Sequence, residues 1–177
     1  MAYQGVVVGS KEGDMPGRTD KASRLIHAPP SRIYRACTEA EAITAWRAPA
    51  GMTAEMLSFD PRPGGAYRMA LTYDVPPPEG GKTSDRSDVF GGVFLALEPD
   101  RCIVEEVRFE TGDPAFAGAM QVITVIEPAG GGAEVTLLCE HVPAGITAED
   151  HSAGMRSSLA NLAAYVERPA SERADGE

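Results

Sequence analysis

Two histidines and one glutamate are the side chains in this sequence best suited to acid–base chemistry. His141 ends a strand-like segment and His151 begins a helix-like segment, with nine residues between them. We expect the two imidazoles to converge at the mouth of a cavity, where a histidine can act as a general acid or base near neutral pH. The alternative is that both are surface residues at the ends of their elements. His141 and His151 are therefore candidate catalytic residues.

A metal centre is not predicted. A third ligand beside the two histidines would have to come from Glu140, Glu149 or Asp150, and these have no recognisable ligand spacing. The three cysteines, at positions 37, 102 and 139, are also far apart and form no CxxC pair.

Glu105 is the third candidate catalytic residue. In a strand, consecutive side chains point to opposite faces, and Glu105 shares its face with Ile103, Val107 and Phe109. We therefore predict that Glu105 points inward, where it would orient a ligand or act as a base unless a cation such as Arg68 or Arg108 neutralises it. The alternative is a residue that faces solvent.

Large apolar side chains are spread over the predicted strands and the last helix. Core packing explains any one of them, but as a set on a curved sheet they predict a ligand that is mostly hydrophobic. Together with the glutamate, the predicted ligand-binding residues are Trp46, Tyr67, Met69, Phe94, Glu105, Phe109, Met120, Met155 and Leu159.

Motifs for other chemistries are missing from the sequence. There is no GxSxG elbow and no SxxK, and GGKTSD lacks the earlier glycine of a phosphate-binding loop. No cofactor is predicted. The segment PPPEGGKTSDRSD is long and polar, so we interpret it as a flap over one end of the sheet.

The composition of the chain limits the partners and the cellular compartment that we expect for the protein. With 26 acidic against 16 basic residues the net charge is -10, which disfavours nucleic acid and anionic membranes as partners. An odd number of widely separated cysteines, which we interpret as buried thiols, and the absence of a long apolar run favour a cytoplasmic protein. We interpret residues 1–18 as a flexible arm, residues 19–168 as one domain and residues 169–177 as a frayed tail.

The elements that must position these residues follow from periodicity and turn chemistry. Met155, Leu159, Leu162 and Val166 recur at helical spacing and predict one long C-terminal helix. A first strand is predicted at 21–26, then two short helices, with Ser31 as the N-cap of the first and the second over 39–46. Six further strands are predicted at 53–59, 66–73, 89–97, 102–109, 120–126 and 134–141.

Short connections rich in glycine and proline join those strands, and such connections suit antiparallel neighbours. The predicted class is α+β, with a curved antiparallel sheet of about seven strands wrapped around the last helix. An exposed edge strand is compatible with a homodimer.

Four segments in register resemble the START-like, helix-grip superfamily called SRPBCC, in the branch similar to the C-terminal domain of Aha-type heat-shock-protein ATPase activators. They are IHAPPSRIYRACTEAEAITAWRAP, FDPRPGGAYRMAL, FGGVFLALEPDRCIVEEVRF and EVTLLCEHVPAG followed by EDHSAGMRSSLANLAAYV. The resemblance implies a helix-grip fold. It also exposes a departure, because the family's last helix often begins with Gly-Trp and this chain has Gly154 and Met155.

The function that the resemblance implies is broader than the fold. Non-catalytic binding of a small hydrophobic or amphipathic molecule, of lipid or polyketide type, ranks first because no catalytic motif is present. An enzyme of cyclase, dehydratase or hydrolase type using the same cavity ranks second. A co-chaperone domain that stimulates a heat-shock-protein ATPase, with a role in stress response, ranks third.

Overall fold

Seven strands and three helices make up the part of the chain that the computed structural model describes, residues 17–169. The strands are β1 (Arg18–Ile26), β2 (Met52–Phe59), β3 (Ala66–Tyr73), β4 (Ser87–Glu98), β5 (Cys102–Phe109), β6 (Met120–Ala129) and β7 (Gly132–Val142). The helices are α1 (Pro30–Ala36), α2 (Ala40–Trp46) and α3 (Ala148–Glu167), and a 3-10 turn spans Pro114–Phe116. The interpretations of residues 1–16 and 170–177 lie outside the described residues.

All seven strands form one antiparallel sheet in the order β1-β7-β6-β5-β4-β3-β2. Strands β2 to β7 are consecutive neighbours, which confirms the predicted meander, and β1 closes the order by pairing with β7. The α+β class and the C-terminal helix are therefore both as predicted. Across residues 17–169, no helix combines the length and the apolar character needed to cross a membrane.

The boundaries of the first strand and the first helix differ from the sequence prediction. Arg18 already pairs with Val142 across an irregularity in the β1–β7 ladder, so the sheet begins inside the segment interpreted as an arm. Helix α1 begins at Pro30, with Pro29 in the N-cap position, so the assignment of Ser31 as N-cap was wrong. Proline fits this first position because it has no N–H to leave unbonded.

Helix α3 lies across the concave face of the sheet. Thr147 caps its N-terminus, where its hydroxyl oxygen accepts a hydrogen bond of 3.1 Å from the Asp150 backbone N–H. The buried stripe consists of Met155, Leu159, Leu162, Ala163 and Val166. Burial of each of the larger side chains contributes about 1.5–3 kcal/mol. The predicted periodicity therefore identified the face that holds the helix on the sheet.

Glycine provides room for an aromatic ring in the middle of the sheet. Gly92 on β4 pairs with Tyr67 on β3, and a Cβ at Gly92 would lie 2.3 Å from the Tyr67 ring. The ring therefore packs directly over the glycine backbone, where it also contacts Phe90 and Phe94. The missing side chain of Gly92 thus makes space for its cross-strand neighbour.

Candidate functional site

A cavity of about 690 Å³ lies between the concave face of the sheet and the N-terminal half of α3. Its volume is typical of sites that enclose a small organic molecule. The wall is mostly apolar and is formed by residues of the strands, of α3 and of the connecting segments. Its apolar members include Phe90, Ile103, Val107, Phe109, Val122 and Leu137. Because the helix covers only part of the sheet, the space is not filled by side chains.

A buried ion pair interrupts this apolar wall. Arg47, which follows α2, donates from Nη1 to Oε1 of Glu105 on β5 at 3.2 Å. The side chains are 18% and 5% exposed, respectively. Burial acts to lower the pKa of Arg47, but attraction to Glu105 outweighs it and raises that pKa above its usual value. Arg47 therefore stays charged, and the pair carries no net charge.

Aromatic rings hold the guanidinium of Arg47 in place. Its central carbon lies 5.6 Å from the ring centre of Tyr67 and 5.8 Å from that of Phe90, within the range of cation–π attraction. Within the described residues, Arg47 donates one side-chain hydrogen bond, and this goes to Glu105. Its other guanidinium N–H groups remain available to a molecule in the cavity.

Polar residues of α3 fix the backbone around Arg47. The Ser158 hydroxyl donates to the Arg47 carbonyl at 3.1 Å, and the Asn161 amide donates to the Ala48 carbonyl at 2.7 Å. The Ser157 hydroxyl accepts from the Ala50 N–H at 2.9 Å. The segment after α2 is therefore attached to the helix, which positions Arg47 against the cavity.

Tyr67 lies behind the ion pair. Its hydroxyl is buried and has no hydrogen-bond partner among the described residues. Burial raises the pKa of Tyr67 strongly, Arg47 acts to lower it and Glu105 to raise it. Tyr67 therefore remains a neutral phenol next to the ion pair.

Two thiols in the cavity wall are unreactive at neutral pH. Burial raises the pKa of Cys37 to about 12, with Glu105 adding to the effect and Arg47 opposing it. Burial likewise raises the pKa of Cys139 to about 12, and its Sγ lies 3.8 Å from Sδ of Met155. Because the thiolate is the reactive form, neither cysteine is suited to act as a nucleophile at neutral pH.

The other end of the cavity contains a histidine held by a carboxylate. Nδ1 of His151, in the first turns of α3, lies 2.7 Å from Oδ2 of Asp20 on β1, and the His151 ring belongs to the cavity wall. Arg18 donates from Nε to Oδ1 of Asp20 at 2.9 Å and from Nη2 to the Ile146 carbonyl at 2.6 Å. The hydrogen bond from Arg18 lowers the pKa of Asp20, burial opposes this, and His151 adds to the lowering.

The segment between β3 and β4 forms part of the cavity wall through residues 77–82. Asp88, which is 1% exposed, accepts a hydrogen bond from the Tyr73 hydroxyl at 2.9 Å and an ion-pair bond from Lys82 Nζ at 2.7 Å. Burial raises the pKa of Tyr73, and Asp88 raises it further. The segment interpreted as a flap is thus anchored at one point by a buried carboxylate.

The structure separates the predicted site residues into two groups. Trp46, Glu105, Phe109, Met120, Met155 and His151 line the cavity. Tyr67, Met69, Phe94 and Leu159 are buried in the apolar core outside the wall. His141 is exposed and also lies outside the wall, so the two histidines do not meet at the mouth.

The cations expected near Glu105 are engaged elsewhere. Arg68 pairs with Glu110 and Arg108 pairs with Glu106, both on the exposed surface. Arg47 neutralises Glu105 instead, and sequence reasoning missed it because it belongs to a connection 58 residues earlier in the chain. Asp20 was missed for the same reason, since only the fold brings it to His151, 131 residues later in the chain. Asp88 lies only six residues from Lys82, and its burial is what the sequence does not reveal. Within residues 17–169, no cluster of three or more histidine, cysteine, aspartate or glutamate side chains could hold a metal ion.

A curved antiparallel sheet that holds a long C-terminal helix over an internal cavity defines a helix-grip protein of the SRPBCC superfamily. The model of the family described as activator of Hsp90 ATPase homolog 1-like protein matches residues 27–167, and the chain belongs to this family. No curated protein matches the chain.

Solved structures give the same assignment. A protein from Chromobacterium violaceum is 32% identical, with a TM-score of 0.76 over 85% of this chain and 98% of that one. A protein described as AHSA1-like from Aeromonas hydrophila is 16% identical, with a TM-score of 0.64 over 90% and 97%. A protein from Staphylococcus epidermidis is 19% identical, with a TM-score of 0.66 over 88% and 93%. The last two likenesses concern the fold alone.

Proposed function

We propose that this protein binds a small, uncharged amphipathic molecule in the cavity under α3. The observation that carries the proposal is the Arg47–Glu105 ion pair at 3.2 Å in the wall of an otherwise largely apolar space of about 690 Å³. An apolar wall favours a hydrophobic body, and the pair offers N–H donors beside a carboxylate acceptor.

Because the Arg47–Glu105 pair carries no net charge, we expect the ligand that it contacts to be uncharged as well. A ligand carboxylate would gain from Arg47 but lie against Glu105, and a ligand ammonium group would meet the reverse situation. A buried charge without its own partner is costly, whereas a hydroxyl can accept from Arg47 and donate to Glu105. The polar group that fits is therefore a hydroxyl, an amide or a similar uncharged donor and acceptor.

A matched series of naphthalenes tests this charge preference. The probes are 2-naphthol, 2-naphthoate and 2-naphthylmethylammonium, which share one ring system and differ in charge. We expect 2-naphthol to raise the melting temperature and to bind in calorimetry, because a ligand specific to the folded state stabilises it by mass action. The two charged probes should bind at least about tenfold more weakly.

Two variants locate the binding. Replacing both members of the pair, as Arg47→Met with Glu105→Leu, should abolish the preference for 2-naphthol over the charged probes. The control Arg68→Met removes an exposed arginine that pairs with Glu110, and it should bind like the parent protein. Equal affinity for all three probes in the parent protein, or no binding of any, would contradict the proposal.

The family description favours a second candidate function, stimulation of a heat-shock-protein ATPase. We also propose a cytoplasmic location, which the buried thiols of Cys37 and Cys139 favour. The ATPase rate of a purified Hsp90-type chaperone, measured with and without a stoichiometric amount of this protein, tests the second candidate. An unchanged rate would exclude it.

A further inference from the structure

His151 combines three features in one place: a fixed ring, a carboxylate partner and a position in the cavity wall. Its Nδ1 lies 2.7 Å from Asp20 Oδ2, and its side chain is 14% exposed. Nε2 has no hydrogen-bond partner among the described residues. Since Nδ1 is engaged, Nε2 is the ring nitrogen available to a molecule in the cavity.

Asp20 is itself fixed in orientation. Arg18 donates from Nε to Oδ1 and from Nη2 to Oδ2, both at 2.9 Å, and the same guanidinium also donates to the Ile146 carbonyl. The lowered pKa of Asp20 keeps this carboxylate ionised at neutral pH. An ionised carboxylate on Nδ1 favours the tautomer that has its proton on Nδ1, and this tautomer leaves a basic lone pair on Nε2.

We propose that the Asp20–His151 dyad makes this cavity a proton-transfer site for an uncharged carbon acid, such as a carbonyl compound with an acidic C–H bond. This inference rests on the proposed function, since the dyad acts on a molecule bound in the same cavity. His151 would be the catalytic residue, and Asp20 and Arg18 would be positioning residues.

The step needs no co-reactant. The C–H bond breaks, its electron pair stays on the bound molecule as an enolate, and the proton moves to Nε2. The resulting imidazolium forms an ion pair with Asp20 and returns the proton to another atom of the same molecule, which completes an isomerisation. Glu105 is less suited to this role because its carboxylate is already paired with Arg47 at 3.2 Å.

Several other charged groups face the same end of the cavity. Asp150 of α3 lines the wall beside His151, while Glu79 and Lys82 line it from the segment after β3. Asp20 and Arg18 approach from β1 and have opposite charges. The rates of the parent protein and its variants must therefore be compared at the same pH.

The probe 5-nitrobenzisoxazole tests the proposal without knowledge of the natural substrate. A base removes its ring C–H proton, the electron pair forms a nitrile, and the N–O bond breaks to release a coloured phenolate. We expect a saturable rate above that of the buffer, and a loss of about 100-fold or more in kcat for His151→Gln. The control His141→Asn changes an exposed histidine outside the wall and should keep the full rate.

Asp20→Asn separates positioning from a structural role. Removal of the carboxylate should lower kcat for 5-nitrobenzisoxazole while leaving the affinity for the inert analogue 5-nitroindole unchanged, because Asp20 holds the His151 ring and does not contact the bound molecule. A merely structural Asp20 would lower kcat and the affinity together. For His151→Ala, added imidazole should restore part of the rate.

Binding of the inert analogue 5-nitroindole, which has no N–O bond, distinguishes the possible failures. If the analogue binds both the parent protein and His151→Gln while only the variant loses the rate, the dyad is supported. If the analogue binds but the parent protein shows no rate above buffer, or if His151→Gln keeps the rate, the dyad is overturned and the binding function stands. If the analogue does not bind the parent protein, the proton-transfer proposal fails, and the binding proposal fails with it only if 2-naphthol does not bind either.

Discussion

The ion pair between Arg47 and Glu105 determines the polarity of the cavity at the scale of single residues. The alternation of side chains in β5 is enough to place Glu105 inward, because strand geometry is local. Nothing local indicates that Arg47 will meet it, since Arg47 lies in the connection after α2 and is held there by hydrogen bonds from α3. One half of the site was therefore readable from the sequence and the other half was not.

Replacing one member of the Arg47–Glu105 pair should destabilise the protein much more than replacing both members. Arg47→Met leaves a buried carboxylate without its partner, and we expect a loss of about 3–5 kcal/mol in the free energy of unfolding. The double variant Arg47→Met with Glu105→Leu should recover most of that loss. Denaturant unfolding of the two single variants and the double variant measures the coupling. Additive losses would show that the two side chains do not interact.

At the scale of elements, two faces of α3 make two different sets of contacts. Its apolar stripe packs on the sheet, and a neighbouring polar row attaches the segment after α2 through Ser157, Ser158 and Asn161. The stripe is visible in the sequence as helical periodicity. The polar row looks like an ordinary solvent-exposed face, because its partners are backbone groups more than a hundred residues away.

Met155 lines the cavity and stands where the resemblance to the SRPBCC superfamily implies a tryptophan. Met155→Trp should reduce the volume of the cavity and weaken binding of 2-naphthol by about tenfold, with an overpacking cost of about 1–3 kcal/mol. Titration calorimetry measures the affinity. The matched control Met155→Leu conserves volume and should bind like the parent protein. Unchanged affinity in the tryptophan variant would place the ligand away from the helix.

At the scale of the whole molecule, the first and last elements are joined. Strand β1 pairs with β7 at one edge of the sheet, and Asp20 on β1 contacts His151 on α3, 131 residues later in the chain. This contact depends on the complete sheet, and it joins the N-terminal end of α3 to the first strand of the domain.

The ionised Asp20 carboxylate contributes to stability at neutral pH and loses that contribution in acid. The folded-state pKa of Asp20 is lowered, chiefly by Arg18, so its contribution is fully present above the unfolded value of about 3.9. The contribution is lost as the pH falls through the lower, folded value. We expect Asp20→Asn to be less stable than the parent protein at neutral pH, with the difference shrinking below about pH 4.

Thermal unfolding across this range measures the difference. Asp60→Asn, at an exposed aspartate that bonds Arg62, serves as the control and should follow the parent protein more closely. A difference for Asp20→Asn that stays constant from neutral to acid pH would contradict the assignment.

The sequence by itself determined the α+β class, the antiparallel succession of β2 to β7, and the single long helix with its buried face. These properties depend on periodicity and turn chemistry, which act over a few residues. Tertiary structure alone decided which of the buried residues border empty space. Phe94 and Leu159 belong to the core while Phe109 and Met155 line the cavity, although all four share the same apolar pattern. It also decided which polar groups meet, because contacts such as Arg47–Glu105 and Asp20–His151 join side chains that the chain brings together only when the curved sheet closes on the helix.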